Sequence, residues 1–551
     1  MGRVIETVGV IGLGTMGAGV VEVFARAGLS VIGVEADEAA QQRGRAQIER
    51  STGRAVERGR LGADEQRAML DRIAFGTAVA DAADADLVVE AVPERFELKH
   101  AVLSELDSKC RAESVIATNT SSLSVTALAA ATGRPGRVIG MHFFNPAPVM
   151  KLVEVVTTVV TDAEVTEQVQ ALAARLGKTA VTVGDRAGFV ANALLFGYLN
   201  RAVGLYDAGY VGREDLDAAM TLGCGLPMGP LTLLDLIGID TGYEILQTMY
   251  AESGDRLHAP HPLLGQMRDA GLLGRKAGRG FYAYSVPSSG TVVDGAGNPP
   301  GEPADDAAGG PLSDWTVAVT GQEPIAGQLA EAAESAGLTV HRKLGSSESP
   351  RMVVCAAQER GELAALLSAT EQDCPAGTVL GAVTPDGAVT AAASGLSRPQ
   401  DVVGLHLVDS VPSGRLVEVV RSVSTAEDAV VTATAFVRRL GRRPVVCAER
   451  AGLVVDALLF PYLNDAARML DIRYATADDV DAAMTLGCGY PTGPIALLDR
   501  IGLDTALHVE QRLYAESPEP GLAPAPLLRH LVTAGRLGLK TGHGFRRHAE
   551  P

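Results

Sequence analysis

The chain is written twice. GMHFFNPAPVMKLVEVV, beginning at Gly140, returns as GLHLVDSVPSGRLVEVV at Gly404, and DLDAAMTLGCG at Asp215 returns as DVDAAMTLGCG at Asp479; both shifts are 264 residues. One constant shift across separate segments requires a single architecture built twice in one chain. The copies are not equivalent. His142 and Glu154 recur as His406 and Glu418, whereas the glycine-rich opening GVIGLGTMGAG of the first half does not return intact.

At 551 residues the chain exceeds what one hydrophobic core supports, so it should divide into several domains. A hydrophobic content of 47% with 21% charged residues is that of a globular protein in water. The net charge of −18 argues against nucleic acid as a partner, because phosphate-backbone binding needs a basic face. It leaves room for a phosphate-bearing small molecule held by local donors. The six cysteines include no CxxC pair, and neither a disulfide framework nor a metal site is expected. Cys224 and Cys488 are repeat mates that read as small buried residues. The first residues run straight into a strand, no apolar run approaches membrane length, and Glu6 breaks the myristoylation pattern. The expectation is a cytoplasmic protein with no membrane partner.

Strand-like apolar runs at 7–11, 30–34, 85–89, 115–117 and 138–142 alternate with helical stretches such as ELKHAVLSELDSKC. That alternation predicts an α/β fold with a parallel, doubly wound sheet over 1–185. From 186 to 285 the pattern is helical throughout and predicts a separate all-α domain. Residues 286–312 are rich in Gly, Pro, Asp and Ala, the composition of a linker. The order then repeats: a shortened, degenerate αβ region over 313–449 and a second helical domain over 450–551.

GLGTMG at Gly12 follows the first strand and opens a helix, the context that makes a GxGxxG a dinucleotide fingerprint. Gly12 permits the tight turn, Gly14 lets the backbone approach a pyrophosphate, and Gly17 allows close helix–strand packing; Leu13, Thr15 and Met16 complete the loop. Glu35, at the end of the second strand, can accept hydrogen bonds from a ribose. Its charge would repel a 2′-phosphate, favouring NAD over NADP. In the second half Gly321 survives, but Glu323 and Ala326 replace the other two glycines and Leu344 replaces the acid. No dinucleotide should bind there.

His142 ends a strand, and Glu154 lies in KLVEVV, whose alternation suggests a neighbouring strand. A lone histidine there would more often be a core residue. A carboxylate partner fixes the imidazole tautomer and supports a proton on the ring, as a base for an alcohol needs.

VVEAVPERFELK, ATNTSSLSVTALA, RVIGMHFFNPAPVMKLVEVV, GFVANALLFGYLNRA, AAMTLGCGLPMGPLTLLDLIGIDT and GRKAGRGFYAY occur in the order of the L-3-hydroxyacyl-CoA dehydrogenase family, which the chain closely resembles over 5–285. Residues 450–551 resemble its helical domain alone. The resemblance implies a Rossmann-type NAD domain, a helical domain, and reversible oxidation of the 3-hydroxyl of an acyl-CoA to a ketone. It places the catalytic histidine and its partner on His142 and Glu154, a substrate-contacting serine on Ser121 and a helical-domain asparagine on Asn192. Cofactor contacts fall on Glu94, Lys99, Ser121, Asn145 and Lys276, beside the glycine loop and Glu35. Ser51 and Arg58 occupy the positions of CoA-contacting residues, Arg58 within RAVERGR, a stretch that also reads as a solvated helical face. 3-Hydroxybutyryl, 3-hydroxyadipyl or longer acyl groups all suit these motifs.

The second copy departs from the family where chemistry is done. Pro385 stands for Ser121, Asp409 for the asparagine of HFFNP and Asp456 for Asn192, whereas ALLF, TLGCG and GLDT persist. The resemblance thus implies an intramolecular pseudo-dimer of helical domains, with further homo-oligomerisation open. Two other readings stand: a dehydrogenase of a free hydroxy or sugar acid (gulonate-type), and a non-catalytic binding or assembly protein.

Overall fold

The computed structural model describes residues 4–293, 315–342, 349–383, 388–408 and 414–548. Leu344, Pro385, Asp409 and most of the 286–312 segment lie outside the described residues. The β-branched runs of the first half form an eight-stranded sheet. Its strands are β1 (Thr7–Ile11), β2 (Ser30–Val34), β3 (Ile73–Gly76), β4 (Leu87–Glu90), β5 (Val115–Thr118), β6 (Val138–Phe143), β7 (Leu152–Thr157) and β8 (Thr179–Gly184). The spatial order is β3-β2-β1-β4-β5-β6-β7-β8. The order reverses next to β1, which is where a doubly wound sheet opens a crevice for a ligand.

The sheet is not wholly parallel, contrary to the sequence expectation. β7 runs antiparallel to β6, with His142 directly opposite Glu154. The connection 144–151 is too short for the helical crossover that parallel neighbours need, so the chain folds straight back.

The second half repeats this with seven strands, β9 (Thr316–Gly321), β10 (Thr339–His341), β11 (Met352–Ala356), β12 (Val379–Val383), β13 (Val402–Leu407), β14 (Leu416–Arg421) and β15 (Arg443–Ala448). Among the described residues it has no match for β3 or for the helix Glu38–Glu57, because so few residues separate β10 from β11. β13 and β14 are again antiparallel, with His406 opposite Glu418.

Each sheet is followed by a helical unit, Ala191–Asp207 to Pro262–Asp269 in the first half and Val455–Asp471 to Pro526–Thr533 in the second. Pro230, Pro262, Pro494 and Pro526 start helices where a missing N–H costs nothing. At the described start of the 286–312 segment, Val292 forms an antiparallel bridge with Tyr284.

The two helical units pack against each other through Ala191–Asp207 and Val455–Asp471, inside one hydrophobic cluster that runs through both halves. Arg186 lies over the Tyr474 ring at 4.9 Å, and its repeat mate Arg450 lies over Tyr210 at 4.5 Å. These reciprocal contacts mark a pseudo-twofold axis within one chain. The six cysteines form no disulfide. Among the described residues no helix is long and apolar enough to cross a membrane, and no cluster of metal-ligating side chains occurs.

Candidate active site

β1 delivers the chain into the glycine loop. Gly12 has φ +92, and a Cβ there would sit 2.9 Å from the Ala91 carbonyl oxygen. A Cβ on Gly17 would come within 1.8 Å of the Gly12 oxygen, so only glycine lets helix Thr15–Arg26 lie this close to the strand end. Gly14, between them, faces open space at the helix N-terminus. That is the cradle a pyrophosphate requires: free room, backbone donors and the positive end of a helix. Glu35 follows β2 and accepts from Leu13 N at 2.8 Å and Ala36 N at 2.9 Å, beside the loop. The residues present therefore fit NAD.

The cleft that begins at this loop has a volume of about 740 Å³ and ends at His142, Phe144 and Asn192. His142 Nδ1 lies 2.7 Å from Glu154 Oε2. The other carboxylate oxygen accepts from Val190 N at 3.1 Å and Ala191 N at 3.0 Å, at the start of helix Ala191–Asp207. Glu154 is thus pinned by the imidazole on one side and by a helix N-terminus on the other, with no exposure to water. This leaves Nε2 as the unengaged ring nitrogen for a substrate proton. The imidazole is packed by Phe144, ring centroids 4.5 Å apart, and by Phe189 at 5.8 Å.

Across the cleft, the Ser121 amide and hydroxyl donate to Glu94 at 2.8 and 3.1 Å, and Asn192 Nδ2 donates to the Ser121 carbonyl at 3.4 Å. Burial pushes the Glu94 carboxyl up, but Lys99 and hydrogen bonds from Thr120 and Ser121 outweigh it and hold it below its ordinary value.

Gly12, Gly14, Thr15, Met16, Glu35, Glu94, Ser121, His142, Asn145 and Asn192 all line this cleft. Other residues assigned from sequence do not. Lys99 is buried, with Nζ 2.9 Å from Glu90 and 3.2 Å from Glu94, and it acts on the cleft through Glu94 and the Val92 carbonyl, to which it donates at 3.1 Å. Its helix turns it inward to neutralise Glu90. Leu13 is buried beneath the loop, and Gly17 packs against Gly12. Lys276 pairs with Asp240 at 2.6 Å, outside the lining. Ser51 and Arg58 lie two turns apart at the end of helix Glu38–Glu57, also outside it.

Sequence reasoning missed Asn119, which lines the cleft and whose Oδ1 accepts from Phe143 N at 2.9 Å, pinning the end of β6 beside His142. Its signal was its place in TNTSS. Phe144 was also missed, as was a contact from the other half. A Cβ on Gly487 would lie 2.7 Å from Leu152 Cδ2 and 3.2 Å from Phe144 Cε1.

The second copy keeps the dyad geometry and loses the cradle. His406 Nδ1 lies 2.6 Å from Glu418, whose other oxygen accepts from Val454 N and Val455 N, each at 3.0 Å. Burial disfavours the charged imidazole of His406, but the Glu418 bond and the Glu418 and Asp456 charges raise its pKa overall. Burial pushes Asp456 up to about 6. At the former glycine loop, Glu323 folds back and its carboxylate accepts from Gly327 N at 3.0 Å, in the first turn of helix Ile325–Ser335. The chain has put its own anion where a phosphate would bind.

The profile described as 3-hydroxyacyl-CoA dehydrogenase, NAD binding domain, matches residues 7–186 and 326–450, and the corresponding C-terminal domain matches 188–284 and 452–548. The second NAD-domain match begins only after Gly321 and Glu323. The chain is 31% identical over 527 residues to the 3-hydroxyadipyl-CoA dehydrogenase of Escherichia coli, covering 95% of this chain and 97% of that one. Its first half is 44% identical to a 3-hydroxybutyryl-CoA dehydrogenase of Mycobacterium tuberculosis, covering 52% of this chain and all of that one. A crystal structure titled 3-hydroxybutyryl-CoA dehydrogenase from Escherichia coli superposes with a TM-score of 0.73 at 30% identity, covering 97% of this chain and 100% of that one. The chain belongs to the 3-hydroxyacyl-CoA dehydrogenase family, with both of the family's domains present twice.

Proposed function

We propose that the first half of the chain carries the only catalytic centre, and that it oxidises the 3-hydroxyl of an L-3-hydroxyacyl-CoA with NAD. The observation that carries this is the His142–Glu154 pair at the end of the same cleft that the glycine loop opens. Bound NAD supplies the hydride acceptor. His142 Nε2 takes the hydroxyl proton, and Glu154, held by two amides, stabilises the charge that appears on the ring without moving. Ser121 and Asn192, joined across the two domains, orient the oxygens of the substrate. Ser51 and Arg58, near the end of helix Glu38–Glu57, would meet the distant end of CoA. The matched ranges support division near 185/186, 285/286 and 449/450, and the remaining boundary, 312/313, rests on composition. The second helical unit stands where a partner subunit would, in a cytoplasmic enzyme of acyl-CoA metabolism.

Formation of NADH is to be followed spectrophotometrically across 3-hydroxyacyl-CoA thioesters from butyryl upward, with 3-hydroxyadipyl-CoA and free hydroxy acids included. Turnover of a thioester is expected. Turnover of a free hydroxy acid with none of any thioester would overturn the proposal.

A further inference from the structure

Helices Ala191–Asp207 and Val455–Asp471 meet on the pseudo-twofold axis, where a residue faces its own repeat mate. Tyr198 faces Tyr462, ring centroids 6.3 Å apart, and Arg201 faces Asp465, Nη1 to Oδ2 2.7 Å. Tyrosine against tyrosine is what two identical copies would also give. Arginine against aspartate is not. Two first copies would bring Arg201 against Arg201, and two second copies would bring Asp465 against Asp465. The side chains are only 16% and 11% exposed, so water and salt screen such a contact poorly. The reversal lies within ALLFGYLNRA and ALLFPYLNDA, segments otherwise almost unchanged. We propose that the Arg201–Asp465 pair selects the partner of this surface: it admits a second copy against a first copy and rejects equivalent copies of two chains. Duplication made this possible, since a true twofold axis forces identical residues together.

The full-length chain tests this directly, because single substitutions recreate the rejected contacts in place. Asp465→Arg builds the contact of two first copies, Arg201→Asp that of two second copies, and Asp465→Asn removes the attraction alone. Each reversed variant should lower the melting temperature by roughly 3 °C or more, Asp465→Asn by about 1 °C, and Arg201→Asp with Asp465→Arg should regain most of the loss. An Asp465→Arg variant no less stable than Asp465→Asn would overturn the proposal, as would a double variant no better than the worse single one.

A different contact carries a second inference. Gly487 ends a turn of π-helix, Ala483–Gly487, and is not among the positive-φ glycines, so its backbone does not demand glycine. The space does. Its missing side chain would meet Phe144, which packs on His142, and Leu152, which shares a strand face with Glu154. The mate Gly223 has Val455 and Val408 as its nearest neighbours, at 3.2 and 3.4 Å. We infer that Gly487 is a positioning residue for the dyad, supplied by the second copy; this rests on the proposed role of His142. Gly487→Val should lower kcat at least about fivefold with KM for NAD within about twofold, since displacements well under 1 Å suffice at such a site. Gly223→Val should leave kcat within about twofold. Gly487→Ala should lose less, and Leu152→Val should restore it. A kcat unchanged in Gly487→Val, or reduced equally in Gly223→Val, would overturn the inference. Loss of all thioester activity in the unsubstituted chain would instead overturn the functional reading.

Discussion

The two halves hold the same histidine–glutamate pair in nearly the same geometry, 2.7 Å in the first and 2.6 Å in the second, with the same two amides behind each glutamate. A dyad is therefore not what distinguishes the two halves. The surroundings are. The first pair opens onto a cleft with a free phosphate cradle and with Asn192 beside it; the second has Asp456 in that place and a cradle filled by Glu323. In the second half the dyad still joins β13 to β14, and Glu418 accepts from the first amides of helix Val455–Asp471, so losing it would cost structure.

The strongest test of this contrast is removal of each histidine. His142→Gln should reduce turnover by about a thousandfold or more while NAD affinity stays nearly intact, and Glu154→Gln by about a hundredfold. His406→Gln should change activity less than about twofold. Steady-state kinetics of the three variants decide the matter, and a large loss at His406 would make the second half catalytic.

Cofactor choice separates the halves next. Glu35 beside a 2′-phosphate should give at least about a hundredfold preference for NAD over NADP in kcat/KM. Calorimetric titration should find one NAD per chain, because Glu323 occupies the second helix start. Equal specificity constants, or two equivalents bound, would break the comparison.

Removing residues 313–551 should bare the apolar face of helix Ala191–Asp207 and drive aggregation, with Arg201 opposing ordered pairing of two first copies, visible by light scattering. A soluble, active monomer would show that the second copy is not a built-in partner.

The smallest effect concerns Glu510, where the first copy has Leu246. Both of its carboxylate oxygens are buried without a hydrogen-bond partner, and burial, with Asp465 nearby, pushes its pKa from 4.5 up to about 8. The folded state therefore binds this proton more tightly than the unfolded one. Stability associated with the neutral form is complete below about pH 4.5 and is lost as pH rises toward about 8. Glu510→Leu should raise the melting temperature by a few degrees at pH 8 and by less at pH 5; an equal gain at both would contradict the assignment.

Sequence alone located the duplication, the glycine cradle, Glu35, the dyad and the loss of two glycines from the second loop. Each rests on local chemistry: a turn that only glycine fits, a charge at a strand end, a residue pair twelve positions apart across one short turn. Even the reversal from Arg201 to Asp465 was readable by applying the repeat shift. Tertiary structure alone decided what depends on the direction of a side chain or on distant segments meeting. It turned Lys99 inward onto Glu90, left Lys276 on Asp240, and made β7 antiparallel. It also brought Gly487 against Phe144 and Arg201 against Asp465. Periodicity fixes which face of an element is apolar, but which distant surface covers that face is set by packing of the whole chain, and here the surface that covers the first half is the chain's own second copy.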